Sequence, residues 1–250
     1  MAVILPKGKL RGISGPIYYR TLNGREIFQT RPDRSNQKKQ NNTYAILFKK
    51  VVSSLKVLRL NIAYFLGDRQ DSKVHQRLTG QTITTLKKHT TQAIEETSIF
   101  NTSLRDLIGF DWNVNSPFDH SFTSEIIGEQ LSDTTLRINV KSFIPAQSVV
   151  FPIGCTHATM RLELCQLNSK NIKISNIHTS RSIDFQQADS DPIGCKWDIE
   201  HLATDVFTMA VVELQFFYPI NGNPNQLTLY NSKAFNPSKV VYVSNMQIGE

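Results

Sequence analysis

Three cysteines and six histidines are the residues with the most chemistry to offer, and their spacing argues against its use. Cys155 and His157 make a Cys-x-His pair, which Cys165 and Cys195 would have to join to hold zinc. Structural zinc needs four convergent ligands, usually delivered as closely spaced Cys or His pairs. No Cys-x-x-Cys occurs, and His75, His89, His120, His157, His178 and His201 never pair at strand or helix spacing. The cysteines fall in or beside apolar runs, where buried structural thiols are the commoner state. One bridge with a leftover thiol is also compatible with the odd count. No metal site and no cofactor are expected.

Paired acids offer little more. Glu95-Glu96 and Asp189/Asp191 have the spacing to hold a cation, but a solvated helix face or loop accounts for both. The chain has no Gly-x-Ser-x-Gly elbow, no phosphate-binding P-loop and no Gly-x-Gly-x-x-Gly. INGNPN at 220–225 and SDPIG at 190–194 are turn chemistry. No catalytic residue is expected, and the chain reads as a non-enzyme.

The basic N-terminal end is the stronger signal. Residues 1–60 hold 13 Lys or Arg against two acids, a net +11, whereas the remainder holds 15 against 19, a net −4. Such an end can meet a polyanion, or the mildly acidic body of a second copy. The candidate contact residues are Tyr18, Tyr19, Arg20, Asn23, Gly24, Arg25, Phe28 and Arg31. Nucleic acid would need bases converging on phosphates, with aromatics free to stack. In a strand, however, Tyr18, Arg20 and Leu22 share one face, while Ile17, Tyr19 and Thr21 share the other. Ile27 and Phe28 likewise point to opposite sides. Apolar groups on both faces predict a hairpin packed between surfaces, with nucleic acid, reached through residues 7–59, as the alternative partner.

These residues need elements to carry them. IYYRTL and REIFQT flank Asn23-Gly24, a pair that favours the tight hairpin turn. Gly12, Gly15 and Pro16 are expected to break the chain before this hairpin, and Pro32 to end it. From Thr43, Tyr44, Leu47, Phe48, Val51, Val52, Leu55, Leu58, Ile62 and Phe65 recur at three and four residues, predicting a long amphipathic helix stopped at Gly67. Residues 70–98 predict a second helix with a thinner stripe of Val74, Leu78, Leu86, Ala93 and Ile94. From about Ser121 the texture turns to short strands: SEIIGEQ, TLRINVKSFI, SVVFPI, ATMRLELCQL, NIKISNIHT, SIDFQQ, FTMAVVELQFFYPI, LTLYNS and KVVYVSNMQI. The nearly continuous apolar run FTMAVVELQFFY predicts a central strand. The expected fold is therefore α+β: an N-terminal β-hairpin and long amphipathic helices, followed by an antiparallel β-sandwich. The parts are a basic arm over 1–42, a helical region over 43–111 and a sandwich over 112–250. Trp112 and Trp197 would supply a ligand-binding platform only if exposed, and a core position is the plainer expectation.

KGKLRGISGPIYYRTLNGREIFQTRP, followed by the helix YAILFKKVVSSLKVLRLNIAYFLG, resembles the opening of an uncharacterised Bacteroidota family, a domain of unknown function. Its members share a Gly-Ser-Gly segment, a strand, a Gly turn, a second strand ending near Arg-x-x-Pro, and an amphipathic helix. DVFTMAVVELQFFYPI and KVVYVSNMQI fit its C-terminal β pattern. The resemblance implies the same fold and no catalytic residues.

The start, MAVILPKGKLRG, lacks the apolar core of a signal peptide, and no window approaches the ~18 apolar residues of a membrane helix. The expectation is a chain made in the cytoplasm, with signal-free export left open and no membrane partner. The most direct role is self-association or docking on a partner through the arm and the sandwich.

Overall fold

The computed structural model describes residues 3–4, 10–22, 25–30, 43–67, 69–91, 93–168, 179–200, 202 and 206–245. The chain divides into two compact units, Met1–Asn42 and Thr43–Glu250.

The first unit is a four-stranded antiparallel meander of β1 (Val3–Ile4), β2 (Leu10–Ser14), β3 (Ile17–Leu22) and β4 (Arg25–Thr30). The predicted hairpin forms with the expected register, pairing Ile17 with Thr30 and Leu22 with Arg25. Asn23 and Gly24, between the paired strands, lie outside the described residues. The expected break before it is a correction. Gly12 sits inside β2, and Gly15–Pro16 is the two-residue link across which Ser14 pairs with Ile17. Glycine weakened the alternating pattern enough to hide this strand.

The second unit opens with α1 (Thr43–Leu66), which buries Leu47, Val51, Leu55, Leu58, Ile62 and Phe65 along the predicted stripe. Tyr44 and Phe48, placed on that stripe by the sequence, are instead exposed. Gly67 stops the helix with φ +59°, its N–H donating to the Tyr64 carbonyl at 3.2 Å. The second helix is shorter than expected: α2 spans Val74–His89 and buries Val74, Leu78 and Leu86. The β-branched pair Thr90–Thr91 leaves the helix, and Thr90 takes extended backbone. The chain then turns back, which leaves Ala93 exposed and buries Ile99 and Phe100.

Two antiparallel sheets follow. The smaller runs β5 (Ile126–Ser132), β6 (Thr135–Phe143) and β9 (Ile193–Ile199). The larger runs β11 (Asn223–Leu229), β10 (Val206–Ile220), β7 (His157–Asn168) and β8 (Thr179–Gln186), with β12 (Ser238–Ser244) also on β10. β10 is central, as its apolar run predicts. Phe207, Met209 and Val211 face the core shared with α1 and α2, while Ala210, Val212, Leu214 and Phe216 face the core shared with the smaller sheet. A strand covered on both faces has no polar side to show, so alternation disappears. The unit is thus three layers: helices, larger sheet, smaller sheet.

SVVFPI makes no strand. It contributes one bridge, Phe122 with Val149, between the turn at Pro145–Ser148 and Pro152, where proline removes a ladder donor. Most of NIKISNIHT lies outside the described residues. SDPIG, expected as a turn, leads straight into β9, where Gly194 allows a close approach: an added Cβ would meet Ser142 Cα at 3.2 Å.

Candidate functional site

The predicted contact residues fall on two chemically distinct faces of the N-terminal sheet. The register places Tyr19 opposite Phe28 and Thr21 opposite Glu26, so Ile17, Tyr19, Thr21, Glu26 and Phe28 share one face. Tyr18 opposite Gln29 and Arg20 opposite Ile27 define the other, which also carries Arg25, Ile13 and Arg11. The described arginines therefore all lie on one side, interleaved with Tyr18, while the other side has Glu26 and, among the described residues, no base. Tyr19 and Phe28 pack edge to face with centroids 5.2 Å apart at 87°. Phe28 is 61% exposed and Tyr18 40%, with Ile13 and Ile17 close behind. Asn23, Gly24 and Arg31 lie outside the described residues.

A single-layer sheet has no interior, so its apolar side chains stay wet until something covers them. The pairing of strands supplies hydrogen bonds, but these bring only modest net stability in water. Such a sheet is suited to being covered.

The most elaborate polar constellation in the second unit went unnoticed in the sequence. Glu213 is fully buried on the helix-facing side of β10. Arg69 Nη2 donates to its Oε1 at 3.0 Å, Arg161 Nη1 to its Oε2 at 3.1 Å, and Gln215 Nε2 to Oε2 at 2.9 Å. Arg161 is its cross-strand partner on β7, and the same guanidinium sits 4.5 Å above the Phe65 ring at the end of α1. The turn at Gly67 brings Arg69 back to the carboxylate. A side chain at position 67 would place its Cβ 2.6 Å from Arg69 Nη1. Local backbone thus serves a tertiary ion triad. Both carboxylate oxygens are engaged and shielded, so the triad ties the helical layer to the sheet.

A second buried carboxylate does similar work. Burial pushes the Asp71 carboxyl up, but the Arg77 guanidinium and the N–H groups of Lys73 and Val114 outweigh it and hold it below the usual range. Arg77 also donates to the Asp111 carbonyl at 2.9 Å, fixing the start of α2 against the Asp111 segment. Burial raises the Asp111 carboxyl, whose Oδ1 accepts the Phe118 N–H at 2.9 Å.

The cysteines do not converge. Cys165 belongs to the core under the helices, while Cys155 and Cys195 belong to the one between the sheets. Burial raises all three thiols, Cys195 to about 11, with the Glu163 charge adding to the rise at Cys165. Thiols so placed are protonated near neutral pH and make poor nucleophiles. Among the described residues no three His, Cys, Asp or Glu side chains group as a metal site. Trp112 and Trp197 are both buried and form no exposed platform.

Open clefts also mark the second unit, two of them beside its helices and sheet edges. One, of 630 Å³, lies between the Asn101–Arg105 segment, β5 and β12, and is lined mainly by amides and hydroxyls. Its wall is tight because Gly128 admits Tyr242, whose ring would stand 2.7 Å from an added Cβ. The other, an apolar groove of 360 Å³, runs between α1 and α2. No described helix is long and apolar enough to cross a membrane.

No family model matches the chain, and no curated protein matches it.

Proposed function

We propose that this is a non-enzymatic interaction protein that self-associates, or docks on a partner, through its basic N-terminal sheet and its β-sandwich. The observation that carries this reading is the open arm: a four-stranded, single-layer sheet with large apolar groups exposed on both faces. Coverage by a protein surface supplies the burial that such a sheet lacks, and an unpaired strand edge offers main-chain hydrogen bonds for docking. β8 is a fitting acceptor, because it pairs only with β7 among the described residues and keeps Ser180, Arg181, Ser182 and Asp184 exposed. β8 and the segment after it carry Asp184, Asp189 and Asp191, which complement arginines of the arm. Sedimentation of the full chain across a salt series tests this. Assembly that weakens as salt rises supports the reading, and a monomer at every salt and concentration refutes it.

One observation favours a second reading. Arg11, Arg20 and Arg25 share a face with Tyr18, the combination of bases and stacking surface that a nucleic-acid arm uses. This predicts generic binding of duplex or single-stranded DNA with a steep salt slope. Retention on a DNA column only at very low salt counts against it.

A further inference from the structure

We infer that the groove between α1 and α2 is a docking site for an acidic amphipathic helix of a partner protein. This surface lies in the second unit and makes no use of the arm, so it is a separate contact from the assembly proposed above. Its floor is apolar: Phe48 and Val52 from α1 face Ile83 from α2. Phe48 is 54% exposed and Val52 half-buried, beside the covered stripe of Leu47, Val51 and Leu55. Gly80 interrupts α2 beside them, and a Cβ built there meets nothing within 4 Å. Nothing in the described residues explains that glycine by packing, whereas a helix lying across the groove would use the close approach it permits.

Charge decides the occupant. Neither α1 nor α2 contains a single acidic residue, while together they carry Lys49, Lys50, Lys56, Arg59, Arg77, Lys87 and Lys88. Lys87 lies one turn beyond Ile83 on α2, its Nζ 4.3 Å above the Tyr44 ring of α1. Arg59 and His75 line the groove. Among the described residues Asp106 pairs with Lys88 and His89, Asp71 pairs with Arg77, and Lys50 donates to the Glu95 backbone carbonyl. Among the described residues no ion pair engages Lys56 or Arg59. Arg59 lines the groove and its buried Nε has no acceptor, so a carboxylate entering the groove would give this guanidinium its counter-charge. A second copy offers no acidic helix of this kind from α1 or α2, since neither holds an acid. A flat anionic membrane is a poorer fit, because Arg59 lines a concave groove rather than a convex face.

The test uses the full chain and a fluorescein-labelled helical peptide of about five turns, leucines on one face and glutamates on the other. Its counterpart replaces every glutamate with lysine. Fluorescence anisotropy is expected to show saturable, salt-weakened binding of the acidic peptide and none of the basic one. Arg59→Gln should weaken binding by about tenfold, the loss of one charged hydrogen bond. Gly80→Gln should abolish it without lowering the thermal midpoint, which separates a blocked groove from a damaged fold. Equal binding of both peptides, no binding of either, indifference to Gly80→Gln, or capture of phosphatidylserine vesicles in place of the peptide would each overturn the assignment.

Discussion

Phe28→Ser probes the open arm at its most exposed aromatic residue. Phe28 is 61% exposed, and its ring partner among the described residues is Tyr19. A phenylalanine offers on the order of 200 Å², so about 120 Å² awaits cover. At about 25 cal/mol per Å², covering it stabilises an assembly by about 3 kcal/mol, or roughly 150-fold in the dissociation constant. Within the arm itself the loss is confined to the edge-to-face contact, about 1 kcal/mol. The variant should therefore weaken association by about two orders of magnitude while the unfolding midpoint of the second unit stays in place. Sedimentation equilibrium over a concentration series, with a circular-dichroism melt beside it, measures both quantities. An association constant changed by less than about threefold, with the body still folded, refutes the idea that a partner covers this face.

Glu213→Gln should lower the stability of the second unit by about 3–5 kcal/mol, because Arg69 and Arg161 lose their shared buried counter-charge. Chemical denaturation with an unchanged slope checks this, and a loss below about 1 kcal/mol contradicts the triad's role. Gly80→Ala should raise stability by up to about 1 kcal/mol, since alanine is the better helix former and nothing stands within 4 Å of the new Cβ. A lowered melting point would show that the site is strained. The Asp71 carboxyl is held below its usual value, so its contribution is present above the unfolded-state value of 3.8 and is lost as pH falls through the lower folded value. Asp71→Asn should therefore flatten the acid limb of the stability profile, and an unaltered limb speaks against that linkage.

The parts most legible in the sequence are those where one period runs undisturbed. Thr43–Leu66 announces itself because its apolar residues return every three or four positions up to Gly67. Val206–Ile220 does so because both faces are covered and the run stays apolar. The hairpin was legible from Asn23-Gly24 and the alternation around it. β2 and β9 were hidden by Gly12 and by Pro192 with Gly194, since turn-forming residues inside or beside a strand mimic a break. The end of α2 is not legible, because a thin stripe extends past His89 on Ala93 and Ile94 alone. Glu213 escaped notice because its partners, Arg69 and Arg161, are distant in sequence. Its one local signal is a lone acid within FTMAVVELQFFYPI, which demands a buried counter-charge. For the arm, alternation gave the two faces of the hairpin. Adding Arg11 to the arginine side required β2, which the sequence did not reveal.

Light scattering of the full chain beside residues 43–250 tests the central claim most directly. The second unit is compact on its own, so the shorter chain isolates the contribution of the arm. The account predicts a full chain that assembles and a shorter chain that stays monomeric at the same concentration. Identical molar masses for the two, whether monomer or oligomer, would contradict it.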